Sequence, residues 1–416
     1  MFSSFTSFSN PLSFLSRQAG PAIDLASVEV HDVETQHDKR SRTLKHLIKL
    51  NHANHSILYH NLQFHNHLPH ILGSAYLLEA GSEHLNDTYE QEADGLEPWK
   101  DSPGEISRHD WREYLSQPEY QRAFVDFFED ELVLNGYDWR KVLDEYLFKG
   151  KEPLVNCLIG GLGHPLIHLG YAFELSSRDL AMEALGLTTT CYSFLHKYLD
   201  DASYTKTSTN STSSPLDIFQ RVREDRRFDG IYGRPGTVDL HHLFEKHEDA
   251  ILEHWNAWHI SNPRKQFEDS QYAAVALLVA THKPGSQYDF FLVHLLTTSH
   301  AVRIILPLIP AKFHISLVRQ WWLLTLSYYI GQLRPVIPLD QIKEYDLQNR
   351  DWVWIDKQAV EGRHSKDPHY VKALRAIKEI AKTWGDSEEF YLKAAVKFGA
   401  EFGGWGGFEW WEDFRG

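Results

Sequence analysis

The amino-acid sequence predicts a mainly α protein, a single large multi-helical body with little or no sheet. Three observations carry this expectation. Long apolar stretches such as "QYAAVALLVATH", "AVRIILPLI" and "VRQWWLLTLSYYIGQL" follow a helical rather than an alternating period. Tyr370, Leu374, Ile377, Ala381 and Trp384 recur at steps of four and three, which draws one apolar stripe along a helix. The apolar runs are free of the Asn-Gly type dipeptides that close hairpins.

The totals bound the function. The 416 residues are 42% hydrophobic and 24% charged, an ordinary globular composition. A formal net charge of −15 disfavours nucleic acid and anionic membrane surfaces as partners, since both would be repelled. A small uncharged or hydrophobic ligand fits better. Only two cysteines occur, Cys157 and Cys191, without C-x-x-C spacing, so neither a disulfide framework nor a cysteine zinc site is implied and a reducing compartment is expected.

In chain order, residues 1–40 are Ser-rich and mixed, and are read as an extension that packs loosely or wraps the body. The start, "MFSSFTSFSNPLSFLSRQAGP", has no basic leader, and no segment reaches the roughly 18 uninterrupted apolar residues of a membrane span. A cytoplasmic location with no membrane partner is therefore expected. Helical patterning starts near Arg42. The next stretch is rich in histidine, with seven between residues 46 and 70 out of 25 in the chain.

Within it, "FHNHLPHILGSAYLLEAG" opens an apolar helix with His67 at its entrance, Pro69 in its first turn and His70 one turn on. "SPGE" and later "KPGS" mark turns. "GLGHPLIHLG" repeats the arrangement. Pro165 suits a first helical turn, and His164 and His168 stand at i and i+4, where both rings share one face and can converge on one ion. Imidazole buried among Leu, Ile and Gly requires partners for its nitrogens. The low-complexity run "YTKTSTNSTSSP" (204–215) is expected to be a mobile surface loop, a candidate lid over a cleft. "YDFFLVHLLTTSH" then places His294 inside another apolar helix, where an unpaired ring nitrogen costs about 1 to 3 kcal/mol. Trp321, Trp322, Trp352 and Trp354 are candidates to line a flat aromatic pocket, with core packing as the alternative role.

Three apolar helices with embedded histidines make a polyhistidine metal site a candidate, and other metal signatures are missing or misplaced. H-E-x-x-H does not occur. E-x-x-H occurs as "ETQH" and "EGRH", both in polar stretches unlike a di-iron bundle. H-x-D occurs at His247 and Asp249 on a charged helix face. "GGLG" (160–163) is not G-x-G-x-x-G and no strand precedes it, so a dinucleotide site for NADPH has no motif support.

The segments "FHNHLPHILGSAYLLEAG", "GLGHPLIHLGYAFEL", "RVREDRRFDG", "DFFLVHLLTTS", "DPHYVKALRA" and "GAEFGGWGGFEWW", in this order from about residue 45 to the C-terminus, resemble the questin oxidase-like family, fungal enzymes of aromatic polyketide metabolism with bacterial relatives. The resemblance implies that residues 41–416 form a helical catalytic domain, an oxygenase that opens a ring of an anthraquinone-type polyketide with O₂. It implies mononuclear non-haem Fe(II) held by His67, His164, His168 and His294, with Lys372, carboxylated on its side-chain nitrogen, as oxygen ligand. His65 and His70 are the alternatives to His67. His369, one turn before Lys372, is expected as a substrate acid/base or as a partner to a ligand. Lys372 points away from the apolar stripe of its helix, so the residues by themselves suggest a solvated side chain. Two other readings stay open on the sequence: an NADPH-dependent Baeyer–Villiger-type oxidase without metal, and a helical protein binding zinc or another ligand.

Overall fold

Apolar faces and side-chain caps at helix starts recur through the chain, four helices carry proline in their first turn, and helices are what results. In the computed structural model, which describes residues 22–236 and 238–408, there are 17 α-helices. The described strands form two two-residue ladders: Leu58–Tyr59 antiparallel to Phe64–His65, and Tyr288–Asp289 parallel to Trp405–Gly406. The mainly α expectation holds.

Four helices position the site. Leu68–Leu77 packs on Gly160–Glu174, this on Phe290–Ile305, this on Pro368–Trp384, and the last returns to Leu68–Leu77, closing a ring. Their sequences explain their place at the centre. Every residue from Leu292 to Ile305 is buried, and so is every residue from His369 to Ile377. The segment Phe290–Leu308 has the length and apolarity of a membrane-spanning helix, but it is 83% buried inside the protein and serves as a core element. Lys39–Asn54 and Arg178–Thr190 pack outside the ring, the first against Leu68–Leu77 and the second against Gly160–Glu174.

The start of Gly160–Glu174 is not regular helix. Gly161, Leu162 and Gly163 all have positive φ (52°, 56° and 77°), so the chain makes a left-handed turn and begins regular helix near His164. A Cβ on Gly163 would stand 2.3 Å from Thr298 Cγ2, and one on Gly160 would stand 1.9 Å from the Cys191 carbonyl oxygen. "GGLG" is thus a close-approach turn that presses His164 against the neighbouring helix.

Of the two arrangements expected for the extension, residues 22–38 take the wrapping one: Ile23, Leu25 and Val33 are buried, and the amides of His31 and Val33 donate to the carbonyls of Glu174 and Leu175. Residues 1–21 of that extension lie outside the described residues. Other expectations need correction. Helix begins at Lys39, capped by Asp38, rather than near Arg42. The 204–215 run is anchored. The Thr212 amide donates to Ala257 O, the His259 amide to Thr212 O, Trp258 Nε1 to Ser213 O and Asn256 Nδ2 to Tyr204 O. Backbone pairing with residues distant in sequence overrides the mobility that its composition suggests. Trp321 and Trp322 are fully buried core residues, while Trp352 and Trp354 are half-buried on a peripheral helix.

Candidate metal centre

His67, His164, His294 and His369 each present one ring nitrogen to a common point, and all four nitrogens lie within 4.8 Å of one another. Each comes from the beginning of one helix of the ring. His67 is the N-cap of Leu68–Leu77, His164 begins the regular part of Gly160–Glu174, His294 lies one turn into Phe290–Ile305, and His369 is the second residue of Pro368–Trp384. The starts of four helices therefore meet here, and their positive ends disfavour a proton on the rings.

The tautomers follow from the outer hydrogen bonds. Nδ1 of His67 donates to His65 O (2.6 Å), Nδ1 of His164 to Gly161 O (2.6 Å), and Nδ1 of His294 to Phe290 O (2.7 Å). A neutral ring that donates from Nδ1 has a bare Nε2. The bare Nε2 atoms of His67 and His164 face each other at 2.9 Å, acceptor against acceptor. Nε2 of His294 and Nε2 of His369 are buried and have no partner. A cation between the rings resolves both features. A proton is a poor candidate, because burial and the positive charge of Lys372 hold His67, His294 and His369 well below their ordinary pKa, and burial with the neighbouring rings does the same to His164. A metal ion is the cation these atoms fit, and a metal-ligating histidine normally donates its other nitrogen to a carbonyl or carboxylate, as three of these do.

Of the residues expected from the sequence, His67, His164 and His294 come together. His168 does not join them. Its Nε2 donates to Glu183 Oε2 (2.7 Å) and its Nδ1 meets His70 Nε2 (3.1 Å), so both nitrogens are occupied. His369 takes the fourth position in its stead. His65 stacks on His164 with ring centroids 3.8 Å apart and contacts the Cys191 thiol, and His70 points its Nδ1 at Lys372 Nζ, 3.5 Å away. Neither alternative to His67 is in the cluster.

Lys372 is 2% exposed, which corrects the solvated reading of its helical position. The apolar stripe marks one face of Pro368–Trp384, but every residue from His369 to Ile377 is buried, and the helix packs against Leu68–Leu77, Phe290–Ile305, Trp352–Glu361 and Phe390–Glu401. Burial lowers its pKa to about 7 against a weaker upward pull from Asp367, so a neutral amine is accessible near neutrality.

Aromatic residues that the sequence reading passed over close the site. The Phe290 ring stands 4.9 Å from that of His294 and 4.6 Å from that of His369, and Trp405 packs 5.9 Å from His369. Trp405 Nε1 donates to Asp367 Oδ2, and the other oxygen of Asp367 caps the helix that carries His369. The closing "GGWGG" motif is therefore part of the site wall. Both cysteines are free, and neither is a metal donor in the cluster.

A mainly helical body with a buried polyhistidine centre where four helices begin is the class of protein that fold and site define. The chain belongs to the questin oxidase-like family, whose model matches residues 64–377 and so spans all five of His67, His164, His294, His369 and Lys372. It is 24% identical over 359 residues to a Baeyer–Villiger oxidase of Pestalotiopsis microspora, covering 80% of this chain and 79% of that one. It is 25% identical over 364 residues to the questin oxidase of Aspergillus terreus, with 80% and 79% covered. An oxidoreductase of Aspergillus parasiticus is 26% identical over 361 residues, with 80% and 71% covered. These relatives are named as oxidases or oxidoreductases, and the chain is an oxidoreductase.

Proposed function

We propose that this protein is a non-haem iron oxygenase, in particular a dioxygenase, that inserts oxygen into a ring of an anthraquinone-type polyketide and thereby cleaves it. The observation that carries the reading is the set of four converging imidazoles, two of them with buried, unpartnered nitrogens. His67, His164, His294 and His369 would hold the ion, and carboxylated Lys372 would add an oxygen donor and offset part of its charge. When bound, Fe(II) supplies the activation of O₂ that an aromatic ring cannot provide itself.

The rest falls to the chain's own residues. The Nδ1 bonds to three backbone carbonyls lock the orientation of His67, His164 and His294, so these three nitrogens keep their geometry without reorganisation. Phe290 and Trp405 exclude water on the His369 side and offer flat apolar faces to an aromatic substrate. A neutral Lys372 amine can take up CO₂, which an ammonium cannot. The substrate is a small aromatic polyketide together with O₂, with no nucleic acid or membrane partner, in a reducing cytoplasmic setting. The net charge of −15 and the two unpaired cysteines support that setting.

A second reading keeps the oxygen insertion but supplies the electrons from NADPH without a metal, in the Baeyer–Villiger manner that the names of several relatives state. One experiment separates the two. Metal content of anaerobically purified protein should approach one iron per chain, and O₂ uptake with a hydroxyanthraquinone should follow iron loading. Lys372→Ala should lose that uptake, Lys372→Glu should recover part of it, and bicarbonate should aid reconstitution of the wild type alone. NADPH-dependent uptake by metal-stripped protein would overturn the iron reading.

A further inference from the structure

Glu183 lies outside the histidine cluster, yet it is 1% exposed and both its oxygens are bonded. Oε1 accepts from His52 Nδ1 and Oε2 from His168 Nε2, each at 2.7 Å. Beyond His168 the line continues: His168 Nδ1 to His70 Nε2 at 3.1 Å, then His70 Nδ1 to Lys372 Nζ at 3.5 Å. On the opposite side His52 Nε2 meets the partly exposed Glu129 at 2.8 Å. A continuous chain of polar contacts thus joins a carboxylate on Arg178–Thr190 to the buried lysine.

The carboxylate end dictates which atoms carry hydrogen. Burial opposes ionisation of Glu183, but the hydrogen bonds from His168 and His52 and the charge of His52 outweigh it and hold the carboxyl at about 2. An ionised carboxylate only accepts, so His52 Nδ1 and His168 Nε2 both bear hydrogen. His52 also donates from Nε2 to Glu129, which makes that ring the cation that balances Glu183. With His168 Nε2 donating to Glu183, its Nδ1 is the atom left to meet His70. That atom accepts from His70 Nε2–H, and His70 is left with a bare Nδ1 turned toward Lys372.

We infer that Glu183 is a positioning residue for Lys372: through His168 and His70 it fixes the ring tautomer that offers the lysine nitrogen a hydrogen-bond acceptor. An amine that donates to His70 keeps its lone pair free, and the N–H of a carboxylated lysine would use the same acceptor. The inference goes beyond the iron reading, since the tautomers are set by Glu183 whether or not a metal or a carboxyl group is present. It also gives His168 a role that its spacing from His164 had suggested was ligation.

The test uses metal-free, full-length protein labelled with ¹⁵N-histidine, because ring ¹⁵N shifts separate bare from hydrogen-bearing nitrogens. The wild type should show His70 bare at Nδ1 and His168 bare at Nδ1. In Glu183→Gln the His52 cation keeps the amide oxygen, which turns the amide NH₂ toward His168. The hydrogens of His168 and then of His70 should move to Nδ1, exchanging the His70 pattern while the backbone spectrum is kept. With iron loaded, the same variant should lose about 10- to 100-fold in kcat at unchanged KM, the usual cost of an outer hydrogen-bond partner. A wild-type His70 that carries its hydrogen on Nδ1 overturns the inference without any variant, and so does an unchanged His70 in folded Glu183→Gln. Absence of a ¹³C carbamate signal would remove the carboxylation of Lys372 and leave the tautomer result intact, so the two ideas fail separately.

Discussion

Replacing His294 by leucine should leave the metal-free protein as stable as the wild type or more so, although His294 is fully buried in the middle of the core. The Nε2 atom of His294 has no partner, and an unmade bond at a buried acceptor costs about 1 to 3 kcal/mol. Leucine removes that cost and presents apolar surface of similar size. Against it stands the loss of the Nδ1–H bond to Phe290 O, about 1 kcal/mol, although that carbonyl keeps its helical partner, the amide of residue 294. The balance is a gain of about 0 to 2 kcal/mol in the metal-free state. With metal the order should reverse. Wild-type protein in hundredfold excess over Kd gains about 2.7 kcal/mol from binding, and a variant lacking one of four nitrogen donors should gain little. Urea unfolding of stripped and of anaerobically iron-loaded samples reads both numbers, and the curves of the two proteins should cross over between the conditions. If stripped His294→Leu is less stable than stripped wild type by more than about 2 kcal/mol, the unpartnered nitrogen is not the liability the geometry makes it, and the case for a cation at the cluster weakens with it.

Further outcomes are expected from the same geometry. His369→Ala should abolish iron binding, whereas His168→Ala should keep iron at an affinity reduced about 10- to 100-fold, as elemental analysis across an iron titration will show; equal loss in both would return His168 to the ligand set. Gly163→Ala should displace His164 and lower iron occupancy, because φ is +77° and the new Cβ meets Thr298 Cγ2 at 2.3 Å; a variant with full occupancy would show that the left-handed turn is not needed to place the ring. The ion pair of His52 with Glu183 should bound stability at both ends of the pH scale. Bonds to Glu129 and Glu183 overcome burial and raise His52 from 6.5 to about 10, so its contribution is complete below 6.5 and fades as pH rises through 10. Glu183 falls from 4.5 to about 2, so its contribution is complete above 4.5 and fades as pH drops through 2. The stability difference between wild type and His52→Gln should therefore be flat from pH 4.5 to 6.5, at about 3 to 5 kcal/mol, and shrink on the alkaline side. Taking the difference removes Lys372, whose lowered pKa adds stability with rising pH between about 7 and 10.5 in both proteins. A difference that grows above pH 6.5 would mean that His52 is not the cation of this line.

Much of this was legible in the sequence because apolar helices advertise themselves. The runs around residues 68–77, 290–305 and 314–331 have too few polar residues to lie on a surface, and all three are core helices. What failed were features set by distant residues. The Ser/Thr run at 204–215 is held by bonds to residues 256–259, which no local pattern announces. The occupants of His168 and His70 were equally hidden, since Glu183 comes from another helix and Lys372 from a segment 302 residues from His70.

The four-position spacing in "HPLIH" was the strongest local signal, and its physical meaning differs from the obvious one. Two histidines at i and i+4 lie on one helix face, but they also lie one turn, about 5.4 Å, apart along the axis. In a ring of four helices whose starting ends meet, that axial step separates two layers. His67, His164, His294 and His369 form the first. His70, His168 and Lys372, each three or four residues further along its own helix, form the second, and they bond to one another. The motifs "HLPH", "HPLIH" and "HYVK" thus write the same instruction three times: one donor at the helix entrance for the cluster, and one polar residue a turn deeper to support it. Read that way, His369 belongs with the entrance histidines because Pro368 marks the start of its helix as Pro69 and Pro165 mark theirs. Lys372 is buried because its layer is, although it lies off the apolar stripe of its helix.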